Sequence, residues 1–330
     1  MATYKGIKGV KVVTKATDPT ASEAAGTVWY NSTSPSALKY AIEGAGAWAS
    51  GGNLVVARAY GGSSGIQTAA IYYGTYPASG ANESYDGTTW TEVNNLTTAR
   101  GYFAGSFGTQ AAGVTTGGYV PVWTKVANTE TWDGTCWTEV NNSLTARTSG
   151  AGAGTSTAGL AIGGTKDPST TVADEVESWN GTCWTETANL NTARADLSGS
   201  GVSTSALAYG GYFSGPAAVS DLVESWNGTS WTETTDVNTA RGFGGGAGTS
   251  STNALFFGGG VPPPYKNETE FWNGTTWTEV ANLTTARQQG GFGGPSNTQA
   301  ILMGGADSGI QQVTEEWTSP VYTIKTVTVS

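Results

Sequence analysis

Large apolar side chains recur at fixed places along this chain, among polar Gly-, Thr- and Asn-rich stretches, and their spacing defines the elements. Six times a Trp stands ten residues before the Arg of an Ala-Arg pair: Trp48 and Arg58, Trp90 and Arg100, Trp137 and Arg147, Trp184 and Arg194, Trp231 and Arg241, Trp277 and Arg287. The arginines lie 42, 47, 47, 47 and 46 residues apart. A period of this size marks repeating supersecondary units. A Gly-Gly or its equivalent follows each Arg, at Gly74, Gly117, Gly163, Gly210, Gly258 and Gly304. Next comes Glu-x-aromatic, with the glutamates at Glu83, Glu130, Glu177, Glu224, Glu270 and Glu315. In five units the following Trp comes five residues after that aromatic, across Asp-Gly-Thr or Asn-Gly-Thr. These dipeptides suit a type I′ turn and predict a tight hairpin.

Between Arg and Gly-Gly each unit reads as two Gly/Ala-rich strands around a Gly-Thr turn, for example 101–109 and 111–118. With the two aromatic strands this gives four short strands per unit, the make-up of a propeller blade. The sixth Glu-x-Trp, ending at Trp317, has no strand after it in the pattern, whereas the stretch from Trp48 to Arg58 has none before it. The two halves complete one unit. The expected fold is all-β: a six-bladed propeller over 47–317, closed by an N-terminal strand. An extension over 1–46 and a strand over 318–330 flank it.

The order Gly-Gly, aromatic, Trp over about 47 residues resembles the kelch repeat and covers roughly 47–317. Units such as Glu224-Ser-Trp-Asn-Gly-Thr-Ser-Trp-Thr-Glu with Asn238-Thr-Ala-Arg are similar to kelch-like proteins of tailed bacteriophages, especially marine ones. The opening Met1-Ala-Thr-Tyr-Lys and the segment Gly26-Thr-Val-Trp-Tyr-Asn share that character. The resemblance implies a β-propeller in a phage particle, as a fibre, appendage or surface decoration. Some kelch-type propellers are copper oxidases with Tyr and His ligands; this chain has no histidine and cannot build that site.

Composition agrees with a structural or binding role. Only 12% of residues are charged, about half of what soluble domains usually carry. The 49 glycines suit strands converging on a crowded axis. The lack of histidine removes the usual near-neutral base and imidazole-based triads. Cys136 and Cys183 occupy one repeat position on successive units and read as free thiols, since equivalent points on neighbouring outer strands exceed disulfide reach. Most acids are fixed by the repeat; Asp167, Asp174, Glu175, Asp196, Asp221, Asp236, Glu268 and Asp307 are not, and nothing in the sequence pairs them. No enzyme, metal site or cofactor is expected. A net charge of −10 without basic clusters argues against nucleic acid. No apolar run approaches a membrane span or a signal segment, so synthesis in a cytoplasm is expected; a place in the virion is what the phage resemblance implies.

One Arg and one Glu per unit predict a ring of charge-assisted bonds within or between blades, each Arg at least half buried. The alternative is an arginine cluster binding anions at the channel mouth. The stretch between Gly-Gly and Glu-x-aromatic differs in every unit, and all six versions should crowd one rim. They carry the candidate ligand contacts Tyr76, Tyr119, Trp123, Tyr212, Phe213 and Tyr265, beside Pro262-Pro-Pro264. A host-surface glycan or protein is the expected ligand. In the extensions, 7–13, Val28-Trp-Tyr-Asn with Leu38-Lys-Tyr around Ser34-Pro35, and 321–329 read as strands. They are expected to form one small sheet that docks on other virion proteins; assembly as a homo-oligomer stays open. The other readings are an intracellular kelch-type adaptor and a carbohydrate-active enzyme using the unfixed acids.

Overall fold

A computed structural model describes residues 12–19, 27–33, 36–43, 46–121, 123–167, 171–213, 219–260, 264–319 and 322–327. Among them there is no helix, and hence none long and apolar enough to cross a membrane. The chain separates into two compact units, 48–318 and the two terminal segments 1–47 with 319–330.

The larger unit consists of propeller-like four-stranded antiparallel sheets, six among the described residues. The first runs Gly62–Ile66, Ala69–Thr75, Ser79–Tyr85, Trp90–Val93, and the second Gly105–Gly108, Gly113–Thr116, Thr129–Trp132, Trp137–Val140. The third runs Ala151–Thr155, Ala158–Ile162, Val176–Trp179, Trp184–Glu186, and the fourth Ser198–Val202, Ser205–Tyr209, Val223–Trp226, Trp231–Glu233. The fifth is Gly245–Ser250, Asn253–Phe257, Thr269–Trp272, Trp277–Val280. The sixth joins Gly291–Ser296, Gln299–Met303 and Thr314–Thr318 to Ala47–Ser50 from the other end of the chain. First strands touch in the order one, two, three, four, five, six and back to one.

The second strands are buried without alternation, because a sheet lies against each of their faces. Alternate side chains feed different cores. Ala206 and Ala208 pack with Leu160 and Ile162 of the third sheet, while Leu207 and Tyr209 pack with Ala254 and Phe256 of the fifth. The sixth sheet meets the first in the same way, with Ile301 and Met303 against Ala70, Tyr72 and Trp90. In the outer hairpins Trp132 faces Trp137, Trp179 faces Trp184, Trp226 faces Trp231 and Trp272 faces Trp277, with centroids 5.2–5.5 Å apart. Trp48 and Trp317 make the sixth pair at 5.7 Å. Tyr85 and Trp90 stack at 4.9 Å in the first.

The hairpin loops differ from the expected two-residue turns. Four residues separate the paired aromatics, and the Asp or Asn side chain closes the loop: Asp133 Oδ1 accepts from the amides of Thr135 and Cys136, both at 2.8 Å. Only the glycine takes a positive φ, 90° at Gly134. The Asp or Asn is chosen for its side-chain acceptor. Cys136 and Cys183 lie on these loops as exposed free thiols.

Several outer tryptophans donate to the preceding sheet: Trp48 to Thr269 Oγ1 at 3.0 Å, Trp90 to Thr314 Oγ1 at 3.1 Å, Trp184 to Thr129 Oγ1 at 3.0 Å. Val176 occupies that acceptor position in the third sheet, and the indole N–H of Trp231 is left without a partner.

Each repeat arginine spans a joint between sheets. Arg194 donates its amide to the Ala173 carbonyl (3.2 Å) and accepts from the Gly164 amide (2.9 Å) on the third-sheet side. Its guanidinium reaches forward to Glu224 (2.9 Å) and to the carbonyls of Gly210 (3.1 Å) and Leu222 (2.7 Å) in the fourth. The carboxylate in turn accepts the amide of Asn191 at 2.7 Å, within the connection that carries the arginine. The pairs Arg58–Glu83, Arg100–Glu130, Arg147–Glu177, Arg241–Glu270 and Arg287–Glu315 repeat the theme, with every member at most 2% exposed. Arg58 ties the sixth sheet to the first: its amide and carbonyl bond Gln311 and Gly305, its guanidinium Glu83 and the Ala81 carbonyl.

The terminal unit is a separate mixed sheet. Val28–Asn31 pairs antiparallel with Ala37–Glu43, which pairs antiparallel with Tyr322–Thr326; Val13–Lys15 adds in parallel on Val28–Asn31. Asp18 accepts from Trp29 Nε1 (3.1 Å) and Asn31 Nδ2 (2.7 Å) and pairs with Lys39 (2.6 Å). The Lys39 hydrogen bond, foremost, holds its carboxyl below the usual range. Residues 7–11, Ser34, Pro35, Val321 and 328–329 of the expected strands lie outside the described residues.

Removing one partner of a buried pair strands the other charge and typically costs about 3–5 kcal/mol. Arg194→Ala should destabilise the larger unit by about that amount in denaturant unfolding. An unchanged midpoint and slope would mean that the pair does not join the sheets.

Candidate functional site

The second residue after each repeat arginine has a left-handed backbone: Tyr60 (φ 63°), Tyr102 (56°), Ser149 (56°), Asp196 (51°), Phe243 (57°) and Gln289 (58°). This region is unfavourable for most of these side chains. The surroundings that hold it are a circle of backbone hydrogen bonds. The amide of Tyr102 donates to the Tyr60 carbonyl (2.8 Å), Ser149 to Tyr102 (3.0 Å), Asp196 to Ser149 (2.7 Å), Phe243 to Asp196 (2.8 Å), Gln289 to Phe243 (3.0 Å) and Tyr60 to Gln289 (2.8 Å).

All six side chains line one mouth of a channel, around a cavity of about 110 Å³. A second cavity of about 100 Å³ continues from it, sharing Ser63, Ser106, Gly152 and Phe292 as walls. The first strands approach closely around this space: a Cβ at Gly152 would lie 2.3 Å from the Ser106 carbonyl oxygen, and one at Gly293 2.5 Å from that of Gly65. Glycine is required at these positions for that reason.

Asp196 is the one charged residue lining the mouth. It is half-buried. Burial pushes its carboxyl up to about 7, against a smaller lowering by the Ser149 hydrogen bond. The repeat arginines do not line the cavity, and their guanidiniums are buried against glutamates. The expected alternative of an anion-binding arginine cluster at the mouth is therefore wrong: the pairing glutamates occupy those groups inside the sheet joints.

The rim candidates divide into two groups. Tyr76, Tyr119 and Trp123 join Tyr60 and Tyr102 in one contiguous platform running outward from the mouth. Tyr60 lies 4.4 Å from Tyr102, Tyr76 lies 4.6 Å from Trp123, and Trp123 lies 5.3 Å from Tyr119, centroid to centroid. Trp123 is 56% exposed at φ 58°. Tyr212 is buried instead: it packs on Phe243 at 4.9 Å and donates its hydroxyl to the Gly260 carbonyl at 2.9 Å. Phe213 and Tyr265 are half-buried. Pro262 and Pro263 lie outside the described residues.

Most of the other unfixed acids have local partners. Lys166 pairs with Glu175, Lys266 with Glu268 at 3.1 Å and Lys125 with Asp167 at 3.5 Å. Asp236 accepts the Val223 amide at 3.2 Å, and Asp307 accepts from Gln311 at 2.6 Å. Among the described residues no group of three or more His, Cys, Asp or Glu side chains is placed to hold a metal ion. Sequence reasoning passed over Tyr60 and Tyr102, and singled out Asp196 only as one of eight unfixed acids, because their position takes a different residue type in nearly every unit. Only its constant offset from the arginine could have signalled it.

No protein-family model matches this sequence, and a comparison with curated proteins likewise gives no match.

A carboxyl whose pKa is raised on folding stabilises the fold when protonated. That contribution is complete below the unfolded value near 4 and is lost as pH rises toward about 7. Asp196→Asn, which keeps a residue tolerant of left-handed backbone, should melt higher than the parent at pH 8, by on the order of 1 kcal/mol for a group that water still reaches. The gain should fade toward pH 4. A difference independent of pH would show that the carboxyl is not desolvated.

Proposed function

We propose that residues 48–318 form a closed six-bladed kelch-like propeller and that the chain is a non-enzymatic structural and binding protein of a phage particle. Closure is supported by the circle of six backbone hydrogen bonds, in which Tyr60 and Gln289 bond as the other neighbours do. The sixth sheet, built from both ends of the segment, supports it as well. The phage setting rests on the resemblance of the repeat sequence to kelch-like phage proteins.

The binding reading rests on one observation, the platform of five aromatic rings spreading from the channel mouth to the exposed Trp123. Trp123 is exposed and the four tyrosines are half-buried, so the rings form one partly exposed aromatic surface, the kind that marks an interaction site. Flat rings offer apolar faces to the C–H surfaces of sugars, and four of the five rings can add a phenol hydroxyl as a hydrogen-bond partner. The charges beside the platform are Lys125, which lies 5.9 Å over the Tyr119 ring, and Asp196 at its inner end; with one of each sign, a host-surface glycan suits it better than a strongly charged ligand.

Purified protein should bind isolated host-surface polysaccharide, and Trp123→Ala should weaken that binding about tenfold, about 1.4 kcal/mol, with an unchanged melting temperature. Equal binding by the variant would remove the platform from the ligand site.

A further inference from the structure

Asp196 lines the channel mouth together with Tyr60 and Tyr102, the innermost rings of the platform. Asp196 is the one carboxylate among the residues lining the cavity, and no Lys or Arg lines it. On the circle Asp196 stands between Ser149 and Phe243; Tyr60, Tyr102, Gln289 and Phe103 also line the cavity, and the Gln289 Oε1 accepts from Gln288 Nε2 at 3.3 Å. The Ser149 hydroxyl and the Gln289 amide supply neutral oxygen acceptors, and the rings present π-faces. Beneath them the channel continues between Gly, Ser and Ala residues with no side chain longer than Phe.

We infer that the mouth is a binding site for a small organic ammonium ion, a primary amine on an unbranched stem. Its three N–H donors would be shared among the Asp196 carboxylate and the oxygens of Ser149 and Gln289. The aromatic rings would flank the cation, and the stem would run down the channel.

Four features carry the assignment. A half-buried ionised carboxylate without a counter-charge carries a desolvation cost, and a cationic ligand offsets it. The rise of the Asp196 carboxyl to about 7 expresses the same unmet charge. One carboxylate with aromatic walls suits a soft organic cation, whereas calcium takes six to eight oxygens, several of them carboxylates. The cavity of about 110 Å³ has room for several water-sized groups, as a short stem requires. A net charge of −10 also enriches cations near the surface.

The site differs in kind from the repeat scaffold. Equivalent positions on the other sheets carry Tyr, Tyr, Ser, Phe and Gln, so the acid is not required by the backbone circle.

The test is isothermal titration of the full chain with n-propylammonium at pH 8 and low ionic strength, beside n-propanol and sodium at matched ionic strength. Saturable one-to-one binding of propylammonium is expected, with affinity at least tenfold lower in Asp196→Asn and no binding of propanol. Thermal melting of the variant confirms that it is folded. Three results would overturn the assignment: no saturable binding by the parent, equal affinity in the variant, or displacement by sodium at equal concentration. The last would make Asp196 a simple counter-ion site.

Discussion

Six buried arginine–glutamate pairs are the interaction on which the rest of this structure depends. Each arginine fixes its own backbone to one sheet and extends its guanidinium into the next, where a carboxylate and backbone carbonyls receive it. The same carboxylate accepts amides from the connection that carries the arginine, for example Asn191 and Thr192 on Glu224. Burying such ions is expensive, and burial pulls the guanidinium pKa of Arg100, Arg194, Arg241 and Arg287 downward. The expense is met only because nearly every polar atom has a partner, the Nε of five of the six arginines being the exception. Such an arrangement favours one angle between sheets over many, which apolar contact alone would not select.

With that angle repeated, the residue two places on is delivered to the channel mouth in a left-handed conformation, six times over. The backbone circle makes no demand on side-chain type. Tyr, Ser, Asp, Phe and Gln all occupy it, so chemistry can vary where the scaffold cannot. The closed hydrogen-bond circuit holds this left-handed backbone at the mouth whatever side chain it carries.

Much of this was legible in the sequence, for identifiable reasons. The Trp–Arg–Gly–Glu spacing carried the four-strand unit, and the unmatched halves at Trp48 and Trp317 carried the shared sixth sheet. The repeat could also be read as buried Arg–Glu pairing, because one acid and one base per unit rarely serve an exposed surface. The hairpin type was misread, since Asp-Gly fits both a two-residue turn and a four-residue loop closed by the side chain, and spacing alone does not choose. The platform was half legible: Tyr76, Tyr119 and Trp123 stood out in variable loops, whereas Tyr60 and Tyr102 follow the arginine like any linker residue. Tyr212 shares the composition of a rim residue but is turned inward by Phe243 and the Gly260 carbonyl. Asp196 was one unfixed acid among eight until the fold placed it alone in the channel.

The central claim is that the joint between the sixth and first sheets is held by the same bonds as every other joint. Native-state hydrogen exchange of the six circle amides tests it most directly. Protection of Tyr60 equal to that of Tyr102, Ser149, Asp196, Phe243 and Gln289, all near the global unfolding free energy, is the predicted result. Rapid exchange at Tyr60 alone, with the other five protected, would show the circle open at the termini and would contradict the account.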